Sequence, residues 1–118
     1  MMYKALYLSP MIPSYNLPET ARFFKEFFEF APGFETLTYS VLYKDNLSIH
    51  LLRAGQDIGE MEFYLSVDDV DTIWDSIKDK LEGIKVRAPF DRDYGMREMH
   101  IIIPHTKTLM FLGQAINQ

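Results

Sequence analysis

The strongest constraint on this chain is a pattern that occurs twice. Apolar runs of strand length and one amphipathic stretch follow the order β-α-β-β(-β) in residues 3–54, and the order returns in residues 60–115, offset by about 55 residues. In the first half Lys4–Leu8 reads as a strand rich in large apolar residues. Ser9–Ser14 follow, and Pro10 and Pro13 cannot donate ladder hydrogen bonds, so this segment must be an edge strand or an extended connection. Asn16 suits an N-cap, with Pro18 in the first turn, where a missing N–H costs little. The helix runs to about Phe28. Phe23, Phe24, Phe27 and Phe28 form one apolar stripe, opposite Arg22, Lys25 and Glu26. Pro32-Gly33 interrupts the pattern. Thr36–Tyr43 then alternates, with Leu37, Tyr39, Val41 and Tyr43 on a drier face and Thr36, Thr38 and Ser40 on a wetter one. Lys44-Asp45-Asn46 is a hairpin turn. Leu47–Leu52 is the return strand, with Ser48 and His50 opposite Leu47, Ile49 and Leu51.

Residues 53–60 connect the halves. Met61–Val67 is a strand, and Asp68-Asp69 supplies an N-cap with negative charge where the helix dipole favours it. Val70, Ile73, Trp74, Ile77 and Leu81 have helical spacing, and Gly83 suits the C′ position. Ile84–Arg87 is a short strand, 89–95 a loop, Met96–Ile103 a strand, 104–106 a turn and Thr108–Leu112 the last strand. Strands this short cannot bury their faces alone. The repeat suits two packed modules, and the periodicity by itself also permits a ferredoxin-like α+β domain.

With 118 residues, 47 % hydrophobic and 25 % charged, the chain is long enough for one domain with a sizeable core. It has no cysteine, which removes disulfides and thiolate metal sites and is compatible with a reducing compartment. No apolar run approaches the roughly 20 residues needed to span a membrane. The first ten residues lack the apolar core and cleavage site of a signal peptide, so a cytoplasmic location is expected. A net charge of −5 with scattered Lys and Arg does not favour nucleic acid. There is no Gly-x-Ser-x-Gly elbow and no phosphate-cradling glycine loop. Asp68/Asp69 is best explained as a helix cap, and Asp91/Asp93 as a solvated turn.

Several segments, in order, resemble the vicinal oxygen chelate superfamily, which includes glyoxalase I, extradiol dioxygenases and the fosfomycin- and bleomycin-resistance proteins. Phe23–Phe30 is similar to the end of that superfamily's first helix, with Glu29 in place of the usual Gly. Leu47–Leu51 resembles the bleomycin-resistance strand that ends in Leu-His-Leu, and Leu65–Asp71 the second strand-to-helix junction. Tyr94–Met99 and Phe111–Gln114 resemble the closing hairpin, whose turn keeps only Pro104. The resemblance implies an α+β fold. Two βαβββ modules (about 3–54 and 60–115) would form a curved mixed sheet, with helices outside and a central cleft, over a single domain 1–118.

Superfamily metalloenzymes hold a divalent ion in that cleft as a Lewis acid. The resemblance aligns Ser9, His50, Glu62 and Met110 with the glyoxalase ligand positions. Ser9 is a poor ligand and the Met110 thioether too soft for a nitrogen/oxygen site, which leaves His50 and Glu62 without a third. No cofactor is therefore expected. The expected function is metal-free binding of a small molecule in an aromatic cleft, in a homodimer whose crevices draw on both chains. The candidate lining is Tyr39, His50, Tyr64, Tyr94, Met96, Arg97, Met99 and Phe111, although Arg97 is equally suited to pairing with Glu98 or an aspartate. Two alternatives remain. One is a zinc-, nickel-, manganese- or iron-dependent lyase or dioxygenase using His50 and Glu62. The other is an interaction domain that keeps only the fold.

Overall fold

The computed structural model describes residues 2–116 and divides the strands between two four-stranded mixed sheets, an α+β architecture. The first sheet contains β1 (Met11–Ser14), β2 (Ala31–Glu35), β3 (Tyr39–Lys44) and β4 (Leu47–Arg53) in the order β1-β4-β3-β2. The second contains β5 (Met61–Ser66), β6 (Val86–Asp91), β7 (Met96–Ile102) and β8 (Thr108–Ala115) in the order β5-β8-β7-β6. In each sheet the first strand runs parallel to the last, and the other pairs are antiparallel. The sequence repeat is thus a repeat of topology. Helix α1 (Leu17–Phe28) packs on β3 and β4, and α2 (Val70–Ile77) on β6, β7 and β8. Neither helix, among the described residues, is long and apolar enough to cross a membrane.

The helix starts follow from the caps. The Asn16 side chain accepts the Glu19 N–H at 3.3 Å, and Asp69 accepts the Thr72 N–H at 3.1 Å. The Gln114 side chain adds a bond to the Val70 N–H at 2.5 Å, which ties α2 to β8. One connected apolar cluster draws on both halves, with Ile12, Phe24, Leu42 and Leu51 from the first and Ile77, Met99, Ile101, Met110 and Leu112 from the second. A polar link closes the seam. Thr20 Oγ1 donates to the Pro104 carbonyl at 2.9 Å, and the Tyr15 N–H donates to the His105 carbonyl at 2.8 Å.

Four expectations are corrected. Lys4–Leu8 is not a strand; the first strand is Met11–Ser14, which lies at the sheet edge as its prolines require. Ala31–Glu35 pairs as an edge strand through Pro32-Gly33, with a register shift between Pro32 and Phe34 that absorbs the irregularity. Val86–Asp91 is likewise an edge strand, shifted between Arg87 and Phe90, where a loop was expected from residue 89. The faces of β3 are also reversed. Ser40 and Leu42 are buried, because they pair with Leu51 and Ile49, which already face α1. Tyr39, Val41 and Tyr43 therefore stand on the outer face with Leu52, His50 and Ser48.

Helix α1 ends with Glu29 in the left-handed region (φ 60°), and both its N–H and that of Phe30 turn back to the Phe24 carbonyl. A β-carbon is disfavoured there by about 1 kcal/mol. The Glu29–Lys44 ion pair at 3.4 Å is exposed and contributes little. Glu29→Gly should therefore stabilise the protein by about 0.5–1 kcal/mol, read as a higher urea midpoint; a lower midpoint would mean that the ion pair outweighs the backbone.

Candidate functional site

Each sheet turns one face to the core and leaves the other uncovered. On the second sheet the strand registers place residues in rows across this open face. One row reads Tyr64 (β5), Phe111 (β8), His100 (β7) and Arg87 (β6), and the next reads Ser66, Gly113, Glu98 and Phe90. The rings meet across the strands. Tyr64 stacks on Phe111 with centroids 6.1 Å apart, His100 tilts onto Phe111 at 4.2 Å, and Phe90 meets His100 edge-on at 5.2 Å.

Glu98 anchors this arrangement. Its side chain is fully buried, yet it faces the aromatic row and not the helix side. Arg92 Nη1 donates to it at 3.0 Å, the Tyr94 hydroxyl at 2.6 Å and His100 Nε2 at 2.9 Å. The Tyr64 hydroxyl reaches the same carboxylate. Burial alone would raise the Glu98 pKa, but donation from His100, Tyr94 and Tyr64 and the Arg92 charge outweigh it and hold the carboxyl below its usual value. An ionised carboxylate only accepts, so His100 Nε2 carries the proton in this contact. The Tyr64 phenol is correspondingly pushed up to about 12, by burial first and then by its bond to Glu98. Gly113 makes room for that bond: a β-carbon there would lie 1.8 Å from the Tyr64 hydroxyl oxygen.

The first sheet carries a smaller polar pair on its open face. Tyr39 Oη is hydrogen-bonded to His50 Nδ1, with the rings edge-on at 5.6 Å, and Met11 Sδ lies 3.7 Å from the same hydroxyl. Ser9 is occupied locally, its hydroxyl donating to the Ser48 carbonyl at 2.7 Å.

Of the expected lining residues, Tyr39 and His50 stand on the first sheet's open face. Tyr64, Met96 and Phe111 stand on the second's, with Tyr94 in the adjoining turn. Two do not join them. Met99 is fully buried in the core, and Arg97 points to the helix side, where it pairs with Asp71 at 3.0 Å and Asp91 at 2.9 Å instead of Glu98. The cause is the period of two: neighbours on β7 face opposite ways, so placing Glu98 and His100 on the open face sends Arg97 and Met99 to the other. Glu98, His100, Phe90 and Arg92 were not among the expected residues. A glutamate and a histidine two apart in β7 were the available signal.

The same rule removes Met110 from the ligand positions, since it is buried in the core while Leu109 and Phe111 face outward. Glu62 lies on the open face of β5, in the other sheet from His50. Among the described residues no group of three or more His, Asp or Glu side chains is arranged to hold a metal ion. The donor set of one chain therefore does not fit a firmly bound divalent ion. A groove of about 820 Å³ runs between the end of α1 and the start of α2, past Phe27, Leu65 and Ile73, and none of the expected site residues lines it.

Two outcomes test the Glu98 anchor. A carboxyl whose folded pKa lies below its unfolded value of 4.5 stabilises the fold above that pH, and the contribution is lost as pH falls through the folded value. Urea stability of the wild type should therefore fall more steeply on acidification below about pH 5 than that of Glu98→Gln; equal slopes would contradict the network. Gly113→Ala should push Tyr64 off Glu98, returning its phenol from about 12 towards the ordinary 10.0, as followed by ultraviolet titration.

No family model matches this chain, and no curated protein matches it in sequence. Solved structures do. A bleomycin resistance determinant encoded on transposon Tn5 superposes with a TM-score of 0.78 at 21 % identity, covering 94 % of this chain and 98 % of that one. A bleomycin-binding protein complexed with bleomycin gives 0.78 at 20 % identity, covering 93 % and 98 %. Lactoylglutathione lyase from Agrobacterium tumefaciens gives 0.76 at 13 % identity, covering 94 % of each chain. With its paired four-stranded sheets and their matching strand order, the chain has the glyoxalase/bleomycin-resistance fold.

Proposed function

We propose that this is a small-molecule-binding protein that holds its ligand against the open sheet faces without a metal, as a homodimer in the cytoplasm. The observation that carries the reading is the aromatic row Tyr64–Phe111–His100 on the open face, anchored by Glu98 in the adjacent row. Rings in such a row bind planar groups by stacking. A carboxylate already accepting from Arg92, Tyr94, His100 and Tyr64 is spent on positioning them and is poorly suited to act as a base. Among the structural neighbours is a bleomycin-binding protein complexed with bleomycin, which is consistent with ligand binding on this fold.

Three features support the dimer. The radius of gyration is 15.0 Å, against roughly 13.5 Å for a compact chain of this length. Apolar side chains crowd the uncovered surfaces: Met11, Phe34, Tyr43 and Tyr64 are each close to half exposed. Tyr3, Leu6, Tyr7 and Leu8 in the N-terminal segment are at least 75 % exposed. A second copy would cover this surface and convert two open faces into a cleft.

The test combines mass, metal content and binding. Light scattering should give twice the chain mass. Incubation with zinc, nickel, manganese or iron(II) should leave no stoichiometric ion, and planar aromatic compounds should raise the melting temperature of the wild type more than that of Phe111→Leu. One ion per chain that is lost in His50→Ala would sink the metal-free reading and favour a metal-dependent enzyme.

A further inference from the structure

On the open face of the second sheet, Arg87 has no ion-pair partner among the described residues. Arg87 on β6 stands directly opposite His100, and its guanidinium carbon lies 3.6 Å from the Phe90 ring centroid. The neighbouring arginines are engaged, Arg92 with Glu98 and Arg97 with Asp71 and Asp91. Among the described residues no carboxylate pairs with Arg87. A guanidinium stacked on a ring uses its face, which leaves the in-plane N–H edge free for a planar acceptor with two oxygens.

The acids on this face do not compensate. Glu98 is saturated by its donors. Glu62 lies on β5, the opposite edge strand, three strand spacings or about 14 Å from β6, where an exposed charge is largely screened. Arg87 also sits in the same row as the rings. Phe111 is two strands away, a distance of about 10 Å. A rigid conjugated molecule lying along the row would place an aromatic ring over Phe111 and Tyr64 and its far end at the guanidinium.

We propose that the ligand of this face is a planar aromatic carboxylic acid, its ring system on Phe111 and Tyr64 and its carboxylate paired with Arg87. The inference rests on reading the face as a ligand platform and names the class of ligand it takes. Rings alone would attract cations as readily as neutral planar groups; the unpaired arginine at the end of the row reverses that preference.

The probes are biphenyl-4-carboxylate, its neutral carboxamide and the cationic 4-phenylbenzylamine, titrated calorimetrically into the wild-type protein. The acid should bind about tenfold more tightly than the amide, one charge-assisted bidentate contact being worth that much. Arg87→Gln should abolish the difference, weakening the acid far more than the amide. Arg87 is exposed, so circular dichroism and the urea midpoint should show the variant folded as the wild type. Phe111→Leu should weaken acid and amide alike. If the amide or amine binds as tightly as the acid, or Arg87→Gln leaves acid binding unchanged, the anion inference fails and the platform survives. If none of the three binds, or Phe111→Leu changes nothing, the platform reading fails with it.

Discussion

Everything functional in this protein depends on one shared apolar core. Leu42, Ile49 and Leu51 from the first sheet and Met99, Ile101, Met110 and Leu112 from the second bury together around the phenylalanines of α1 and Ile77 of α2. Side chains alternate along a strand, so committing these residues to the core commits their neighbours to the opposite face. His50 faces outward because Ile49 and Leu51 do not, and Glu98 and His100 because Met99 and Ile101 do not. The candidate site is thus a consequence of the core.

The open face of the second sheet then organises itself around a buried charge. An ionised carboxylate with no exposure is tolerable only if its acceptor sites are filled. Glu98 meets that demand by drawing in a guanidinium, two phenols and an imidazole. Doing so fixes the rotamers of Tyr64, Tyr94 and His100, and the aromatic row inherits that rigidity. Gly113 is part of the same device, since any side chain there would occupy the path of the Tyr64 hydroxyl.

Much of the chain was legible in advance. Both helices and their N-caps follow from Asn16, Asp69 and the spacing of Phe23, Phe24, Val70 and Ile77, all local signals, but α2 ends at Ile77, short of the Leu81 and Gly83 expected at its C-terminus. The edge position of the first strand follows from Pro10 and Pro13. Errors gathered where a face had to be chosen. Thr36–Tyr43 alternates so cleanly that Tyr39, Val41 and Tyr43 read as the drier set, but pairing with β4 puts Leu42 in the core. Arg97 and Met99 read as cleft residues beside Met96, yet alternate positions of β7 belong to opposite sides. Hydrophobicity identifies an alternating strand but does not say which face is covered when both carry large side chains.

The amino-acid sequence by itself determined the repeat, the two amphipathic helices and the absence of thiolate chemistry, because each rests on residue type and short-range spacing. Only the tertiary structure decided that Tyr64, Phe111, His100 and Arg87 share a row, that Glu98 is their anchor, and that His50 and Glu62 lie on different sheets. Those facts depend on strand register and on which face meets the core. Both are set by contacts between residues far apart in the chain, and a register shift of one position would turn a strand's row residues to the opposite face.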